Sequence, residues 1–176
     1  AMQRIKYFRF KTNGIDAMSL SPDGNTLIAG SVDGKIRVID VRKMRLVKEF
    51  AAHNGYVFSL YFINNNRFIS GSSTGELSLW NVTNLTLVKK NPTAGIGILS
   101  LVVHQNKIYA GTKAGKLVVF DINNLNAIKK FSISDKGLNA LTVSPVTGMM
   151  AAGDDAGVIR IIQPETGAIL KTMGNP

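Results

Sequence analysis

The chain has 176 residues, of which 45% are apolar, and its 21 basic and 11 acidic residues give a formal net charge of +10. This length and composition predict one folded domain with a sizeable core. The chain has no cysteine, which excludes disulfides and thiolate metal sites. No run of eighteen apolar residues occurs, so we expect no membrane insertion.

Four short segments of the chain resemble one another and recur about forty residues apart. They are KIRVID at 35–40, ELSLWN at 76–81, KLVVFD at 116–121 and VIRIIQ at 158–163. Each is preceded directly by a glycine, and a second glycine stands four residues before the first: Gly34, Gly75, Gly115 and Gly157, with Gly30, Gly71, Gly111 and Gly153. A repeat of this length predicts one supersecondary unit that is copied and packed beside itself.

Each copy predicts four short strands joined by polar turns. In the second copy the strands are VFSLYF at 57–62, FISGS at 68–72, ELSLWN at 76–81 and LTLVKK at 85–90. One four-stranded meander cannot bury both of its faces, but meanders stacked around an axis bury a shared apolar layer. The sequence therefore predicts an all-β fold, a β-propeller, rather than a β-helix, whose repeat is shorter, or a sandwich, which needs no such regular copies.

The predicted domain covers residues 1–176, with blades at 15–50, 57–91, 98–131 and 138–173. Residues 4–8 resemble the outermost strand of each copy, so we expect them to be the outer strand of a preceding blade. Because four blades is the lower limit for a propeller, we expect a partial or incomplete ring. A second copy of the chain, or further blades of a longer parent chain, would complete it; a closed four-bladed ring is the alternative.

The repeated segments resemble the WD-repeat (Trp-Asp) β-propeller family. The position of the family's Trp-Asp pair reads Ile39-Asp40, Trp80-Asn81, Phe120-Asp121 and Ile162-Gln163, and its Gly-His position reads Ala52-His53 in the second copy. The resemblance implies a buried network of His53, Ser70 and Trp80, with Thr74 in the place of the family's acid and Asp33 as that acid in the first blade. Lys11, Ala94 and Ser134 stand where the other histidines would be.

The sequence offers little for catalysis or metal binding. Of the two histidines, His53 has the structural role that the resemblance implies, and His104 is expected in an exposed turn. The carboxylates of Asp154 and Asp155 are adjacent, and we interpret them as a solvated turn rather than a metal or general-acid site. We therefore predict no catalytic residue, no metal site and no cofactor, and we expect a protein that is not an enzyme.

The resemblance implies a scaffold that binds other proteins or peptides within a multiprotein assembly. Loops on a rigid framework are where such binding normally occurs. The candidate contact positions lead into the first strands or lie in the turns between the second and third strands: Asp16, Tyr56, Phe58, Leu99, Asn139, Val32, Ser73, Lys113 and Asp155. Phe58 is the expected anchor, although packing in the core would explain it equally.

A lysine occupies the same position in every outer strand. We call this set the basic girdle: Lys6, Lys48, Lys89, Lys129 and Lys171. Lysine on an exposed edge strand discourages aggregation, and a basic girdle also suits RNA or a ribonucleoprotein. Both interpretations remain open. The lack of cysteine suits a reducing compartment, so we expect an intracellular protein of the cytoplasm or nucleus.

Overall fold

The computed structural model describes residues 7–92 and 96–174 of the chain. Within them every regular element is a β-strand. The strands of the first two blades are β1 (Ile15–Leu20), β2 (Thr26–Ser31), β3 (Lys35–Asp40), β4 (Arg45–Ala51), β5 (Val57–Asn64), β6 (Arg67–Ser72), β7 (Glu76–Asn81) and β8 (Thr86–Pro92). Those of the last two are β9 (Ile98–His104), β10 (Lys107–Thr112), β11 (Lys116–Asp121), β12 (Ala127–Ser132), β13 (Leu138–Val143), β14 (Met150–Asp154), β15 (Ile159–Gln163) and β16 (Ala168–Met173).

The strands form four separate sheets, each an antiparallel meander in chain order. The all-β class with four four-stranded blades is thus confirmed. Each sheet begins and ends within one residue of the blade limits that the repeats suggest. Of the outer strand expected at 4–8, residues 4–6 lie outside the described residues, and Tyr7 and Phe8 are not part of a strand.

The first strands of consecutive blades pack side by side along the centre of the molecule, β1 on β5, β5 on β9 and β9 on β13. Three apolar clusters fill the spaces between consecutive blades. In the cluster between blades 1 and 2, Ile28, Ile36 and Val38 meet Val57, Leu60 and Phe68. This fan of blades is the arrangement of a propeller.

The fan is open between its last and first blades. Although both strands are fully described, β13 and β1 do not pack together as the first strands of consecutive blades do. Strand β1 is accordingly exposed at Met18 and Leu20. No helix among residues 7–92 and 96–174 is long and apolar enough to cross a bilayer.

The glycine before each third strand has a backbone that other residues rarely adopt. Its φ lies between 69° and 84° in all four blades. In blade 3, a side chain at Gly115 would also collide with the backbone of the segment that leads to blade 4. The repeated glycine that defines the period is therefore required by the turn itself.

Candidate interaction surfaces

One edge of the fan, which we call the turn face, combines the segments leading into the first strands with the turns between the second and third strands. In every blade a backbone N–H of the turn donates to a carbonyl of the leading segment. The donors are Val32, Ser73, Lys113 and Asp155, the acceptors are Gly14, Tyr56, Gly97 and Gly137, and the N···O distances are 3.4, 2.8, 2.8 and 3.0 Å. The turn face is thus held by the same backbone bond four times.

An aromatic pair stands out on the turn face at blade 2. The rings of Tyr56 and Phe58 meet edge to face with centroids 5.8 Å apart, and Tyr56 remains 50% exposed. Ser73 fixes this segment, because its Oγ accepts from the Tyr56 N–H at 2.9 Å while its own N–H donates to the Tyr56 carbonyl. Phe58 is half-buried and is not part of the described apolar clusters.

Three of the other candidate positions come together at the junction of blades 3 and 4. The Asn139 side chain donates to the Asp155 carboxylate, and both are exposed. A Cβ placed on Gly137 would lie 2.9 Å from Leu99 Cδ1 and 2.5 Å from the same carboxylate. Asp16 and Lys113 are exposed on the turn face at blades 1 and 3.

A polar network is buried within blade 2. Ser70 Oγ lies 2.7 Å from His53 Nε2 and 2.8 Å from Trp80 Nε1, and His53 Nδ1 lies 3.0 Å from a Glu76 carboxylate oxygen. Burial lowers the pKa of His53 below 6.5, although the Glu76 charge opposes it, so the ring is neutral at pH 7. Because a carboxylate only accepts, the Nδ1–H donates to Glu76, the Ser70 hydroxyl donates to Nε2, and Trp80 donates to Ser70.

Thr74 does not take part in that network, contrary to the expectation that it replaces the family's acid. Its hydroxyl lies 2.9 Å from Ser72 Oγ. Glu76, at the start of β7, reaches the histidine instead. Sequence reasoning missed Glu76 because it belongs to the repeated segment itself, where every residue was assigned to the strand.

Blade 1 holds a buried arginine in place of such a network. Arg37 is 1% exposed and lies 2.7 Å from carboxylate oxygens of both Asp33 and Glu49, while its guanidinium covers the Phe10 ring at 4.8 Å. Burial alone would raise the pKa of Asp33, but hydrogen bonds from Arg37, Ser31 and the Lys35 N–H hold it well below its usual range. Asp33 is therefore an ion-pair partner within its own blade.

Asp154 is buried, so its assignment to a solvated turn is wrong, whereas Asp155 is exposed as expected. The Ser134 hydroxyl donates to the Asp154 carboxylate at 2.6 Å and Arg160 Nη1 at 2.5 Å. These bonds, with the N–H groups of Val158 and Ala156, hold its pKa well below the ordinary value against the effect of burial. The sequence alone does not show that Ser134, twenty residues away, converges on this turn.

The expectation that His104 is solvent-exposed is wrong, because its side chain is half-buried. It ends β9, and its Nε2 would lie 3.4 Å from a Cβ placed on Gly148, in the first turn of blade 4. Among the described residues no three metal-ligating side chains come together.

The basic girdle occupies one register position in four blades. Lys48, Lys89, Lys129 and Lys171 pair with Val38, Leu79, Val119 and Ile161 of the neighbouring strands, and a bulge follows each pair. All four lysines are exposed. Lys6 lies outside the described residues.

Blade 3 carries an additional concentration of positive charge beside the girdle. In blade 1, Lys35 pairs with Glu49 at 2.6 Å, and in blade 2 the equivalent residues are Glu76 and Lys90 at 3.4 Å. In blade 3 both positions are lysines, Lys116 and Lys130. Within the described part of the chain neither forms a salt bridge, and Lys116 donates to the Ser132 hydroxyl.

Comparison with known proteins agrees with this architecture, which is that of a β-propeller. The family model "WD domain, G-beta repeat" (WD40) matches residues 3–40 and 44–81. The resemblance seen in the sequence is thus confirmed over residues 3–40 and 44–81, and the propeller fold extends through all four blades.

Curated relatives match short stretches. The chain is 36% identical over 74 residues to the U3 snoRNP-associated protein-like EMB2271 of Arabidopsis thaliana, covering 42% of this chain and 15% of that protein. It is 45% identical over 53 residues to the WD repeat-containing protein 55 homolog of Dictyostelium discoideum, covering 30% and 13%. It is 31% identical over 62 residues to the ribosome biogenesis protein YTM1 of Vanderwaltozyma polyspora, covering 35% and 14%. The matches therefore span about a seventh of each relative.

Two solved structures show the same fold. One is a chain of the mitotic checkpoint complex, with a TM-score of 0.80 and 17% identity over 90% of this chain and 50% of that chain. The other is the computationally designed Ika4 protein, with a TM-score of 0.78 and 20% identity over 92% of this chain and 98% of that chain.

Proposed function

We propose that this propeller is a non-enzymatic scaffold that binds other proteins or peptides within a multiprotein assembly. The aromatic pair of Tyr56 and Phe58 carries the proposal, because it presents exposed ring surface on a backbone that Ser73 fixes. Aromatic side chains on a rigid framework are typical centres of protein interfaces. Polar groups that surround a partner are available on the same face at Asp16, Lys113, Asn139 and Asp155.

The names of the relatives support an assembly role, since one is a U3 snoRNP-associated protein-like protein and another a ribosome biogenesis protein. The proposal assigns no catalytic residue and no cofactor to the chain. It includes an intracellular location, in the cytoplasm or the nucleus.

The test replaces Phe58 by alanine and compares the proteins retained from a cell extract, quantified by mass spectrometry, with those retained by the unaltered chain. We expect at least a tenfold loss of specific partners, with a free energy of unfolding changed by less than about 1 kcal/mol, because the side chain is only half-buried. The matched control is Val146→Ala, which removes apolar surface from a 90% exposed turn between β13 and β14. An unfolded Phe58→Ala variant, or an unchanged set of partners, would contradict the proposal.

Binding of RNA or a ribonucleoprotein through the basic girdle is the second candidate. It is favoured by the four exposed lysines in one register and by the like-charged pair of Lys116 and Lys130 beside them. Lysines that neutralise phosphates make binding fall steeply as salt rises.

The girdle is tested with a labelled single-stranded RNA of twenty nucleotides. Reversing Lys48, Lys89 and Lys129 to glutamate should abolish binding, while the same reversal at Lys43, Lys113 and Lys136, exposed lysines outside the girdle, should retain most of it. If the two triple variants bind equally, net charge alone attracts RNA and the girdle is not a site.

A further inference from the structure

The junction between blades 2 and 3 contains a cavity of about 190 Å³. Its walls are mainly apolar side chains of blade 3, and they include Ile98, Ala110, Val118, Phe120 and Ala127. Ile98, Val118 and Phe120 belong to the apolar cluster that fills the rest of this junction. The cavity therefore lies inside the described fan and not at either of its ends.

The cavity exists partly because Asn91 stands where the other outer strands carry a large apolar side chain. The strand registers show that the equivalent residues are Phe50, Phe131 and Met173. At the junction of blades 1 and 2, Phe50 packs on Trp80 with ring centroids 5.1 Å apart. Asn91 instead donates from its amide to the Leu125 carbonyl at 2.5 Å. The space beside Phe120, the equivalent of Trp80, is therefore left open.

Ala127 enlarges the same space from the outer strand of blade 3. It pairs with Phe120, and the equivalent residues of the other outer strands are branched and aliphatic: Leu46, Leu87 and Ile169. The junction of blades 1 and 2 has both Phe50 and Leu87, and that of blades 3 and 4 has both Phe131 and Ile169. Of the three junctions in the described chain, this one therefore lacks both large side chains.

The rim of the cavity is positively charged. Lys130 lines it, and Lys116 lies on the same side of the sheet, two residues before Val118. The equivalent residues of blade 2, Glu76 and Lys90, attract each other, with an N···O distance of 3.4 Å. Lys116 and Lys130 repel instead, and neither forms an ion pair with any other described residue. The rim therefore favours a ligand that brings negative charge.

The cavity suits a single apolar side chain better than a nucleobase. The Asn91 amide is bonded to the Leu125 carbonyl, and the Thr112 hydroxyl exchanges hydrogen bonds with both backbone groups of Lys116 at 3.1 Å. A base would therefore bury polar edges against apolar walls, which costs free energy. The volume is also below the roughly 300–1,000 Å³ that is typical of clefts for small-molecule ligands.

We propose that this cavity receives one large apolar side chain of a partner protein, presented by an acidic segment whose carboxylates meet Lys116 and Lys130. A buried apolar anchor supplies most of the affinity in such a contact, and the charges supply its specificity. The inference adds a second binding surface and the chemistry of its partner. It shares no residue with the aromatic pair of Tyr56 and Phe58 and does not depend on it.

The test selects random peptides displayed on phage against the unaltered chain, after depletion on the Ala127→Leu variant. Leucine stands at this position in blades 1 and 2, so the variant should fold while its side chain fills the cavity. We expect the selected peptides to share one large apolar residue beside aspartate or glutamate. A synthetic peptide of the most enriched sequence should bind Ala127→Leu about tenfold more weakly or worse. The control, Ala168→Leu, makes the same change at an exposed residue of β16 and should retain full affinity.

The charge of the rim is tested with Lys116→Glu, which recreates beside Lys130 the acid that blade 2 has at this position. The affinity of the same peptide should fall about tenfold. Lys43→Glu is the matched control, because it makes an equal charge change at an exposed turn of blade 1, and it should retain most of the affinity.

Selected peptides without an apolar residue beside acids, no enrichment at all, or an unchanged affinity for either variant would each overturn the proposal. A labelled single-stranded RNA that loses affinity for Ala127→Leu while the peptide does not would place a base in the cavity, which also overturns it. None of these outcomes bears on Tyr56 and Phe58, so failure here leaves the proposed turn face to its own test.

Discussion

The interfaces between consecutive blades and the two ends of the fan differ in burial far more than in sequence. Leu77 and Ile159 occupy equivalent positions in the third strands of their blades, yet one is completely buried and the other 47% exposed. Met18 and Leu60 differ in the same way. The first and last blades therefore carry apolar side chains of the interior type at positions that no other blade of the described residues covers.

The exposed side chains of the first and last blades contribute less burial energy than their interior equivalents. Burying an aliphatic side chain that was exposed is worth about 1.5–3 kcal/mol. Ile15, Met18, Leu20 and Ile159 each leave much of that contribution unused in a single chain.

The largest expected effect contrasts Leu77→Ala with Ile159→Ala. Leu77→Ala should lower the free energy of unfolding by about 2–5 kcal/mol because it leaves a cavity. Ile159→Ala should change it by less than about 0.5 kcal/mol because the side chain is half-exposed. Urea unfolding measures both, and equal losses would show that Ile159 is packed within its own chain.

A second prediction concerns the polar network that is buried within blade 2. Ser70→Ala leaves both His53 Nε2 and Trp80 Nε1 without their partner, and each unsatisfied buried group costs about 1–3 kcal/mol. We expect a loss of about 3 kcal/mol in thermal or urea unfolding. Ser100→Ala, which removes a single bond to the Leu138 carbonyl, is the control and should cost less. An equal cost would show that the network adds nothing beyond one ordinary hydrogen bond.

A smaller effect is expected from pH, acting on His53 in the same network. Burial holds the folded-state pKa of His53 below its ordinary value of 6.5. The unfolded chain therefore takes up a proton first as the pH falls, and stability that is complete above pH 6.5 is lost toward the folded pKa, at up to about 1.4 kcal/mol per pH unit. Unfolding measured from pH 7.5 to 5 should show this slope in the unaltered chain and in His104→Gln. If His53→Gln retains the slope, another group is responsible.

The fold was predictable because its information is local and repeated. The glycines before the third strands, such as Gly115, mark turns whose positive φ favours glycine. The same signal occurs in four copies, which strengthens the prediction. Short segments rich in β-branched and aromatic residues, such as VFSLYF, also marked the strands. The lysines of the outer strands fell into one register for the same reason.

The side-chain networks were less predictable because their members converge across turns. Asp154 was interpreted as solvated beside Asp155, yet its carboxylate is buried and accepts hydrogen bonds from Ser134 and Arg160. Glu76 was assigned only a place in its strand, yet its carboxylate also accepts a hydrogen bond from the buried His53. Such convergence brings the segment that leads into a blade against that blade's own later strands, which the pattern within one strand does not encode. The exposure of Ile15 likewise depends on whether another blade packs against β1 rather than on the identity of Ile15 itself.

The most direct measurement is a cysteine cross-link between consecutive blades. The chain has no cysteine of its own, so a bridge in the Gly71→Cys, Ile98→Cys variant reports only the contact between blades 2 and 3. The two positions are within reach of each other, since a Cβ on Gly71 lies 2.9 Å from that of Ile98. We predict that oxidation closes this bridge within one chain, which migrates faster on non-reducing gels. The absence of a bridge, or a covalent dimer in its place, would contradict the packing of each blade on the next.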